Sequence, residues 1–144
     1  MERKTFIRTC GLACVGGTLL TTMLEGCSST KMITGTIADT DLVVPAAAFM
    51  QKGDRYRRYI VVRHEQLAYP ICLYRFSESR YSALLMRCTH QGTELQVFGD
   101  RLQCPAHGSE FSNQGAVQNG PADTNLRRFP VTVQNNEIYI SMKK

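Results

Sequence analysis

Two short segments of the sequence carry metal-binding side chains in nearly the same order. Residues 88–92 read C-T-H-Q-G, and residues 104–108 read C-P-A-H-G. Each segment offers one thiolate and one imidazole, and a glycine follows within two residues of the histidine. Thiolate sulfur and imidazole nitrogen are donors that bind iron and zinc in proteins. We therefore predict that Cys88, His90, Cys104 and His107 lie in two loops that hold one metal centre between them.

The donor set favours an iron–sulfur cluster over a zinc ion. When neutral imidazoles replace two of the four thiolates around a [2Fe–2S] cluster, two negative charges are removed, and the potential rises to roughly −150 to +300 mV. Zinc modules with two Cys and two His usually open on two closely spaced cysteines. Here each cysteine is followed by a histidine instead. We favour one [2Fe–2S] cluster and keep structural zinc as the alternative.

The pattern C-x-H followed by C-x-x-H-G-S resembles the Rieske iron–sulfur protein family. The similarity continues to Gly115 and to the segment 120–122, where Rieske proteins carry a proline loop that shields the cluster, and it spans about residues 34–142. The resemblance implies that Cys88 and Cys104 bind the inner iron. It also implies that His90 and His107 bind the outer iron, near solvent.

The same resemblance identifies residues that would surround the cluster. Ser109 matches a hydroxyl that donates a hydrogen bond to a bridging sulfide in high-potential members. Phe111 stands where those members have a tyrosine that bonds a cysteine sulfur. The other residues predicted to surround the cluster are Gly92, Gly108 and Pro121.

One feature of the cytochrome bc type is absent from both loops. Its members join the loops by a disulfide, and those positions hold Thr93 and Ala106 here. We therefore expect no disulfide between the loops. With one hydrogen-bond donor kept and one missing, we expect a potential in the middle or lower part of the Rieske range.

The first 26 residues have the layout of an export signal. Residues 1–8 are basic, and residues 9–24 carry no charge. These sixteen residues are short for a membrane span, which needs about 20 predominantly apolar residues. The stretch from Arg3 to Arg8 resembles the twin-arginine export motif with Lys4 in place of the second arginine. That route accepts folded cargo, as export of a cluster assembled in the cytoplasm would require.

The segment Leu24-Glu25-Gly26-Cys27 resembles the cleavage box of a bacterial lipoprotein. It predicts that Cys27 becomes the lipidated first residue, that residues 27–37 form a tether, and that the protein is anchored to a membrane and faces the periplasm or the cell exterior. A retained hydrophobic anchor and a plain cleaved signal are the alternatives.

The remaining cysteines and the third histidine have ordinary interpretations. Of the six cysteines, Cys10 and Cys14 would leave with the signal. Cys72, in a strand-like run, is predicted to be a buried core thiol. His64 lies between strand-like and charged residues and is predicted to be a surface strand residue.

The remainder of the chain predicts one small all-β domain over residues 38–144. Apolar residues make up 43% of the 144-residue chain, and the segments after residue 38 are short, β-branched or aromatic, and bounded by turn residues. The resemblance specifies the Rieske fold: an antiparallel β-sandwich base with a small cluster-binding subdomain at about 86–122. The predicted strands are 42–44, 57–63, 70–76, 81–87, 94–98, 101–104, 110–112, 127–133 and 137–142.

The chain is mildly basic, with a formal net charge of +5. Arg55, Arg57 and Arg58 form the best candidate patch for acidic partners or anionic headgroups, but the sequence favours a solvated strand edge as their explanation. No motif supports nucleic-acid binding.

These observations predict a one-electron carrier or oxidoreductase subunit rather than an enzyme, since no nucleophile or acid/base pair is evident. The first hypothesis is a membrane-tethered carrier in a respiratory-type system, with a redox protein as partner and quinol or a cytochrome among the candidates. The alternatives are a Rieske small subunit of the arsenite oxidase type, a ferredoxin component of a ring-hydroxylating oxygenase, and a zinc-containing binding module. The signal argues against the ferredoxin, whose relatives work in the cytoplasm.

Overall fold

The computed structural model describes residues 29–143, which fold almost entirely into short β-strands. A 3-10 helix, Ala46–Phe49, interrupts them once. Among these residues, none belongs to a helix of the length and hydropathy that a membrane crossing needs. The strands in chain order are β1 (Met32–Thr34), β2 (Thr36–Ala38), β3 (Asp41–Pro45), β4 (Tyr59–Arg63), β5 (Ile71–Arg75), β6 (Tyr81–Leu85), β7 (Gln96–Phe98), β8 (Arg101–Gln103), β9 (Glu110–Ser112), β10 (Val117–Asn119), β11 (Arg128–Phe129), β12 (Val131–Gln134) and β13 (Glu137–Ser141).

The strands form three sheets that pack in layers. The middle sheet has the order β1-β4-β5-β6-β11. A four-stranded sheet of order β12-β13-β3-β2 covers one of its faces, and a smaller sheet of order β10-β9-β8-β7 covers the other. Paired strands are antiparallel except β1, which runs parallel to β4 with Met32 opposite Val61. The predicted all-β sandwich with a small subdomain is confirmed.

The middle sheet is buried on both faces, so its strands read as continuous apolar runs. In β4, Ile60 and Val62 face one way, and Val61 faces the other. The first face forms the base core, whose members include Leu42, Val44, Phe49, Ile71, Leu73, Ile138 and Ile140. The second face forms the subdomain core, whose members include Cys72, Tyr74, Leu84, Leu95, Leu102 and Phe111.

Turn chemistry fixes the hairpins. Asn135 and Asn136 have φ angles of 51° and 61°, the left-handed conformation that asparagine tolerates in a two-residue hairpin. They join β12 to β13, where Gln134 pairs with Glu137. Gly99, with φ of 61°, closes the β7–β8 hairpin. Both turns are therefore formed by residues that tolerate the left-handed conformation.

The structure differs from the prediction at the start of the domain. β1 and the first two residues of β2 lie inside the segment 27–37, which is predicted as a tether. Both strands have only three residues and are mostly exposed, so no alternation was readable there. Their pairing with β4 and β3 makes them strands. The ordered domain therefore includes Met32 onwards rather than starting at residue 38.

A second difference concerns the predicted strand 127–133, which is two strands. Pro130 separates β11, which pairs with β6 in the middle sheet, from β12, which pairs with β13 in the outer sheet. Proline has no N–H to donate to a ladder, so the chain changes sheets at this residue. β10 was not predicted, and its residues are largely exposed.

Candidate metal centre

The first ligand loop, residues 88–95, is a tight turn between β6 and β7. The Gly92 N–H donates to the Cys88 carbonyl (2.8 Å), and the Cys88 N–H donates to the Thr93 carbonyl (2.8 Å). Gly92 has φ of 78°, in the region where a side chain is disfavoured. The glycine therefore lets the chain reverse direction just after His90.

The second ligand loop, residues 104–111, repeats this backbone pattern. The Gly108 N–H donates to the Cys104 carbonyl (3.0 Å), the Cys104 N–H donates to the Ser109 carbonyl (2.8 Å), and Gly108 has φ of 80°. The glycine stands at the same distance from the cysteine in both loops. Thr93 in the first loop thus corresponds to Ser109 in the second.

The two ligand cysteines lie side by side just beneath the surface. Cys88 is 2% exposed and Cys104 is 1% exposed. Burial opposes ionisation of the Cys104 thiol, but hydrogen bonds from the backbone of His107 and Ala106 and contacts with the Cys88 thiol and the Thr93 hydroxyl outweigh it and lower its pKa. The site is therefore built to hold negative charge on sulfur, as a thiolate ligand requires.

The two histidines form the solvent-facing part of the site. Both His90 and His107 are exposed. Their ring centroids are 5.0 Å apart, and the rings are nearly perpendicular, at 89°. Since both rings are exposed in the described part of the chain, an approaching molecule could contact an imidazole edge.

The four donors therefore form two pairs, one of buried thiols and one of exposed imidazoles. Within residues 29–143, no three His, Cys, Asp or Glu side chains converge on a single point. Two pairs of unlike donors fit a two-iron cluster in which each iron takes two protein ligands. The structure thus pairs the two predicted thiols with each other and the two predicted imidazoles with each other, an arrangement that suits a [2Fe–2S] group.

A third segment lies against the second ligand loop. The Ala122 N–H donates to the buried Ser109 hydroxyl oxygen (3.0 Å). The preceding Gly120–Pro121 peptide bond is cis, and Pro121 is exposed. Because Ala122 uses only an acceptor lone pair of Ser109, the hydroxyl proton remains free to be donated elsewhere. Ser109 therefore fixes the predicted proline loop to the site.

The first ligand loop is tied to the same segment by a residue that the sequence did not single out. The Thr89 hydroxyl donates to the Thr124 carbonyl (2.6 Å). Thr89 is the unspecified residue of C-x-H, so the motif gave no signal for it. The proline loop thus links both ligand loops into one unit.

Thr93 is a second residue whose role the sequence missed. It was noted only as a position that lacks a disulfide, but its hydroxyl contacts the Cys104 thiol. The correspondence between Thr93 and Ser109 was the signal that could have revealed it. Phe111, which is fully buried in the same core as both ligand thiols, offers no hydroxyl there.

The remaining candidates lie outside the site. His64 is half-buried next to the end of β4, and its Nδ1 accepts a hydrogen bond from the Gln66 N–H (3.1 Å). Cys72 is fully buried in the subdomain core, as predicted, and burial raises its pKa well above the usual range. Cys10, Cys14 and Cys27 lie outside the described residues.

A layered β-fold that presents two Cys–His loops at one end defines an iron–sulfur protein with mixed cysteine and histidine ligation. The chain belongs to the Rieske [2Fe–2S] domain family, whose model matches residues 40–130. Its cofactor is therefore one [2Fe–2S] cluster, and the family's chemistry is one-electron transfer. The structural zinc considered from the sequence is set aside.

Individual relatives come from different redox systems. The chain is similar to the iron–sulfur subunit 2 of the cytochrome b6-f complex of Nostoc sp. strain PCC 7120, with 37% identity over 60 residues, which are 40% of this chain and 34% of that protein. The match thus spans about a third of that relative's length.

Two solved structures are similar in fold. The plasma membrane Rieske protein PetC3 of Synechocystis PCC 6803 has a TM-score of 0.51 and 25% identity, over 58% of this chain and 86% of that one. A chain from the complex of oxygenase and ferredoxin in carbazole 1,9a-dioxygenase has a TM-score of 0.55 and 29% identity, over 74% and 97%.

Proposed function

We propose that this chain is a one-electron carrier whose cluster is held by Cys88 and Cys104 on the inner iron and by His90 and His107 on the outer iron. The observations that support this assignment are the contact between the two buried thiols and the 5.0 Å separation of the two exposed imidazole rings. When bound, the cluster takes up and returns one electron.

The side chains around the thiols would stabilise the reduced state, which carries one more negative charge. The backbone hydrogen bonds to Cys104 and its contact with the Thr93 hydroxyl lie where they can stabilise charge on sulfur. Ser109 retains a proton to donate. A partner protein could approach the site at the exposed imidazoles. The residues that bury the two thiols keep water away from the sulfur side of the site.

Ligand substitution tests the assignment. His107→Ala should remove the cluster, so that the purified protein is colourless and lacks the electron paramagnetic resonance signal of a reduced mixed-ligand [2Fe–2S] cluster. His64→Ala is the matched control, because the third histidine of the chain lies outside the donor set. It should retain about two iron atoms per chain. A colourless wild-type protein that contains one zinc would contradict the proposal.

We also propose that the carrier is exported and anchored by a lipid on Cys27, facing the periplasm or the cell exterior. The support comes from the basic, uncharged and Leu-x-Gly-Cys segments of the sequence. With β1 beginning at Met32, the connecting tether would be only residues 27–31. Such a short tether would hold the domain close to the bilayer.

Cell fractionation tests the anchor. Cys27→Ala should abolish lipid labelling and release the protein from membranes. If the variant stays in membranes without label, the hydrophobic segment is a retained anchor. Replacing Arg3 and Lys4 by glutamine should block export of the folded form, and normal export would point to another route.

A ferredoxin component of an oxygenase is the second candidate. The similarity to a chain of the carbazole dioxygenase complex, which covers 97% of that chain, favours it. Holo-protein confined to the cytoplasm would support this role and contradict the exported carrier. For the exported carrier, a redox protein is the proposed partner, and oxidation of the reduced protein by a cytochrome or reduction by a quinol would identify its acceptor or donor.

A further inference from the structure

β4 runs from one end of the molecule to the other. Its last residue lies beside the first ligand loop, so its first residue marks the end opposite the imidazoles. At the end of β4, Arg63 forms an ion pair with Glu94 of the first ligand loop. At its start, Tyr59 contacts the Thr30 hydroxyl (3.3 Å), so the chain enters the domain there. The β7–β8 turn lies at this same end, because Gly99 and Tyr59 line one open groove of about 590 Å³.

This end carries an unusual share of exposed apolar side chains. In residues 29–143 the large apolar side chains that are about half exposed are Met32 (51%), Met50 (52%), Tyr56 (48%) and Phe98 (53%). Tyr56 and Phe98 line the groove, Met50 pairs with Tyr56 in a β-bridge, and Met32 lies beside Phe98. Half-exposed apolar side chains gathered at one end of a domain mark an interaction surface.

Basic side chains surround these apolar groups. Lys31, Arg57 and Arg58 line the groove. Lys52 and Arg55 lie in the loop just before them, and the acidic residues at this end include Asp54, Asp100 and Glu78, which lines a neighbouring cavity with Tyr56. In the range 29–143 the ion pairs are Arg63–Glu94 and Arg101–Glu110, so the basic residues of the groove keep their charge available. We call Lys31, Met50, Tyr56, Arg57, Arg58 and Phe98 the tether face.

We propose that the tether face rests on an anionic phospholipid surface and so points His90 and His107 away from the bilayer. Basic side chains attract anionic headgroups, while aromatic and apolar side chains enter the interface. An acidic protein would satisfy the charges but would not require the apolar groups to lie next to the chain entrance.

The position of the proposed anchor supports a lipid surface, and this step rests on the proposed lipidation of Cys27. Two residues lie between Cys27 and Thr30. The three Cα–Cα steps that join them span at most about 11 Å. Thr30 contacts Tyr59 beside the groove. An acylated Cys27 would therefore keep this face at the membrane, and a partner would reach the imidazoles from the aqueous phase.

Because the sequence contains no tryptophan, the fluorescence of a single introduced tryptophan reports on one position only. Full-length holo-protein carrying Phe98→Trp would be mixed with vesicles of phosphatidylcholine and phosphatidylglycerol that contain brominated acyl chains. The matched control is Thr40→Trp. Thr40 is exposed in the β2–β3 turn, and β1 and β2 carry the chain away from Lys31 before it reaches this turn. Quenching of Phe98→Trp should exceed that of Thr40→Trp at least about twofold.

Charge removal provides the second arm. In the Phe98→Trp background, Arg57→Gln with Arg58→Gln should weaken adsorption to the anionic vesicles roughly fivefold per charge removed. The matched control is Arg127→Gln with Arg128→Gln, which removes two exposed arginines near the ligand loops and should leave adsorption unchanged. High salt should reduce the quenching as well.

The outcomes separate the proposals. Equal quenching at both tryptophan positions, or none at either, overturns the tether face, and a protein partner for the patch would then be favoured. Binding to anionic but not to neutral vesicles supports the face and contradicts the lipid anchor. Flotation with neutral vesicles without quenching of Phe98→Trp supports the anchor and overturns the face. The paramagnetic signal of the same samples reports the electron-transfer function independently.

Discussion

At the scale of single residues, Ser109 has two separable roles. Its oxygen accepts the Ala122 N–H, and its proton is available for the cluster. Ser109→Ala should lower the reduction potential by several tens of millivolts, because a hydrogen bond to a cluster sulfur stabilises the reduced state and about 1.4 kcal/mol corresponds to roughly 59 mV for one electron. Voltammetry of the purified protein measures this. Ser82→Ala removes a buried hydroxyl that has no hydrogen-bond partner among residues 29–143 and should leave the potential unchanged.

Phe111 lies in the core that also contains both ligand thiols. Phe111→Tyr should raise the potential by an amount similar to the Ser109 effect, if the new hydroxyl reaches the sulfur of Cys88 or Cys104. Voltammetry again decides. An unchanged potential, with the cluster retained, would mean that this side chain does not face the cysteine sulfurs.

The Thr93 hydroxyl contacts the Cys104 thiol, a role that the sequence analysis did not assign to it. Thr93→Val keeps the shape of the side chain but removes its contact with Cys104 through the hydroxyl. We expect a potential lowered by some tens of millivolts, for the same reason as with Ser109. Thr89→Val is the comparison, since its hydroxyl bonds a backbone carbonyl of the proline loop rather than a thiol. It should loosen that loop, measured by hydrogen exchange, with a smaller change in potential.

At the scale of elements, Gly35 joins the middle sheet to the outer sheet. It lies between β1 and β2, and a Cβ there would come within 2.6 Å of the Leu42 side chain and 3.0 Å of Val62. Both neighbours are fully buried, so neither can move aside freely. Gly35→Ala should reduce the free energy of unfolding by about 1–3 kcal/mol, as overpacking of a core does.

Denaturant unfolding measures this loss. Gly120→Ala is the steric control, because the nearest atom to its added Cβ would be 4.0 Å away. It should change the free energy of unfolding by less than Gly35→Ala does. Equal losses in both variants would mean that glycine flexibility, rather than contact with the base core, is what matters at Gly35.

At the scale of the whole molecule, the two cores have different relations to the cluster. The subdomain core includes both ligand cysteines, whereas the base core includes neither. Removing the iron should therefore loosen the ligand loops and the small sheet while the base core stays folded.

Cys72 reports this change. In the holo-protein it is fully buried, and burial raises its pKa, so alkylation should be slow. Chelation of the iron should speed its alkylation about tenfold or more, which corresponds to an opening free energy lowered by about 1.4 kcal/mol. Peptide mass spectrometry separates Cys72 from the freed Cys88 and Cys104. Loss of amide protection in β3 and β13 at the same time would show that the two cores unfold together.

The sequence by itself determined the parts of this protein that depend on neighbours along the chain. Each ligand loop closes on its own hydrogen bonds between a cysteine and the residues that follow it, with a glycine in the left-handed conformation. Asn135 and Asn136 form a local turn, and the alternation in β13 needs only one buried face. Short-range geometry of this kind is encoded where it occurs, so the two Cys–His loops, the hairpins and the all-β class were predictable.

Only the tertiary structure decided what depends on distant partners. β1 and β2 are strands because β4 and β3 provide their hydrogen bonds. The middle sheet is covered on both faces. A continuous apolar run in the sequence does not reveal this, because the same run would also suit a buried helix. The tether face gathers Lys31, the segment 50–58 and Phe98, which lie far apart in the chain. Such surfaces arise from the packing of sheets, and no local pattern contains the contacts that create them.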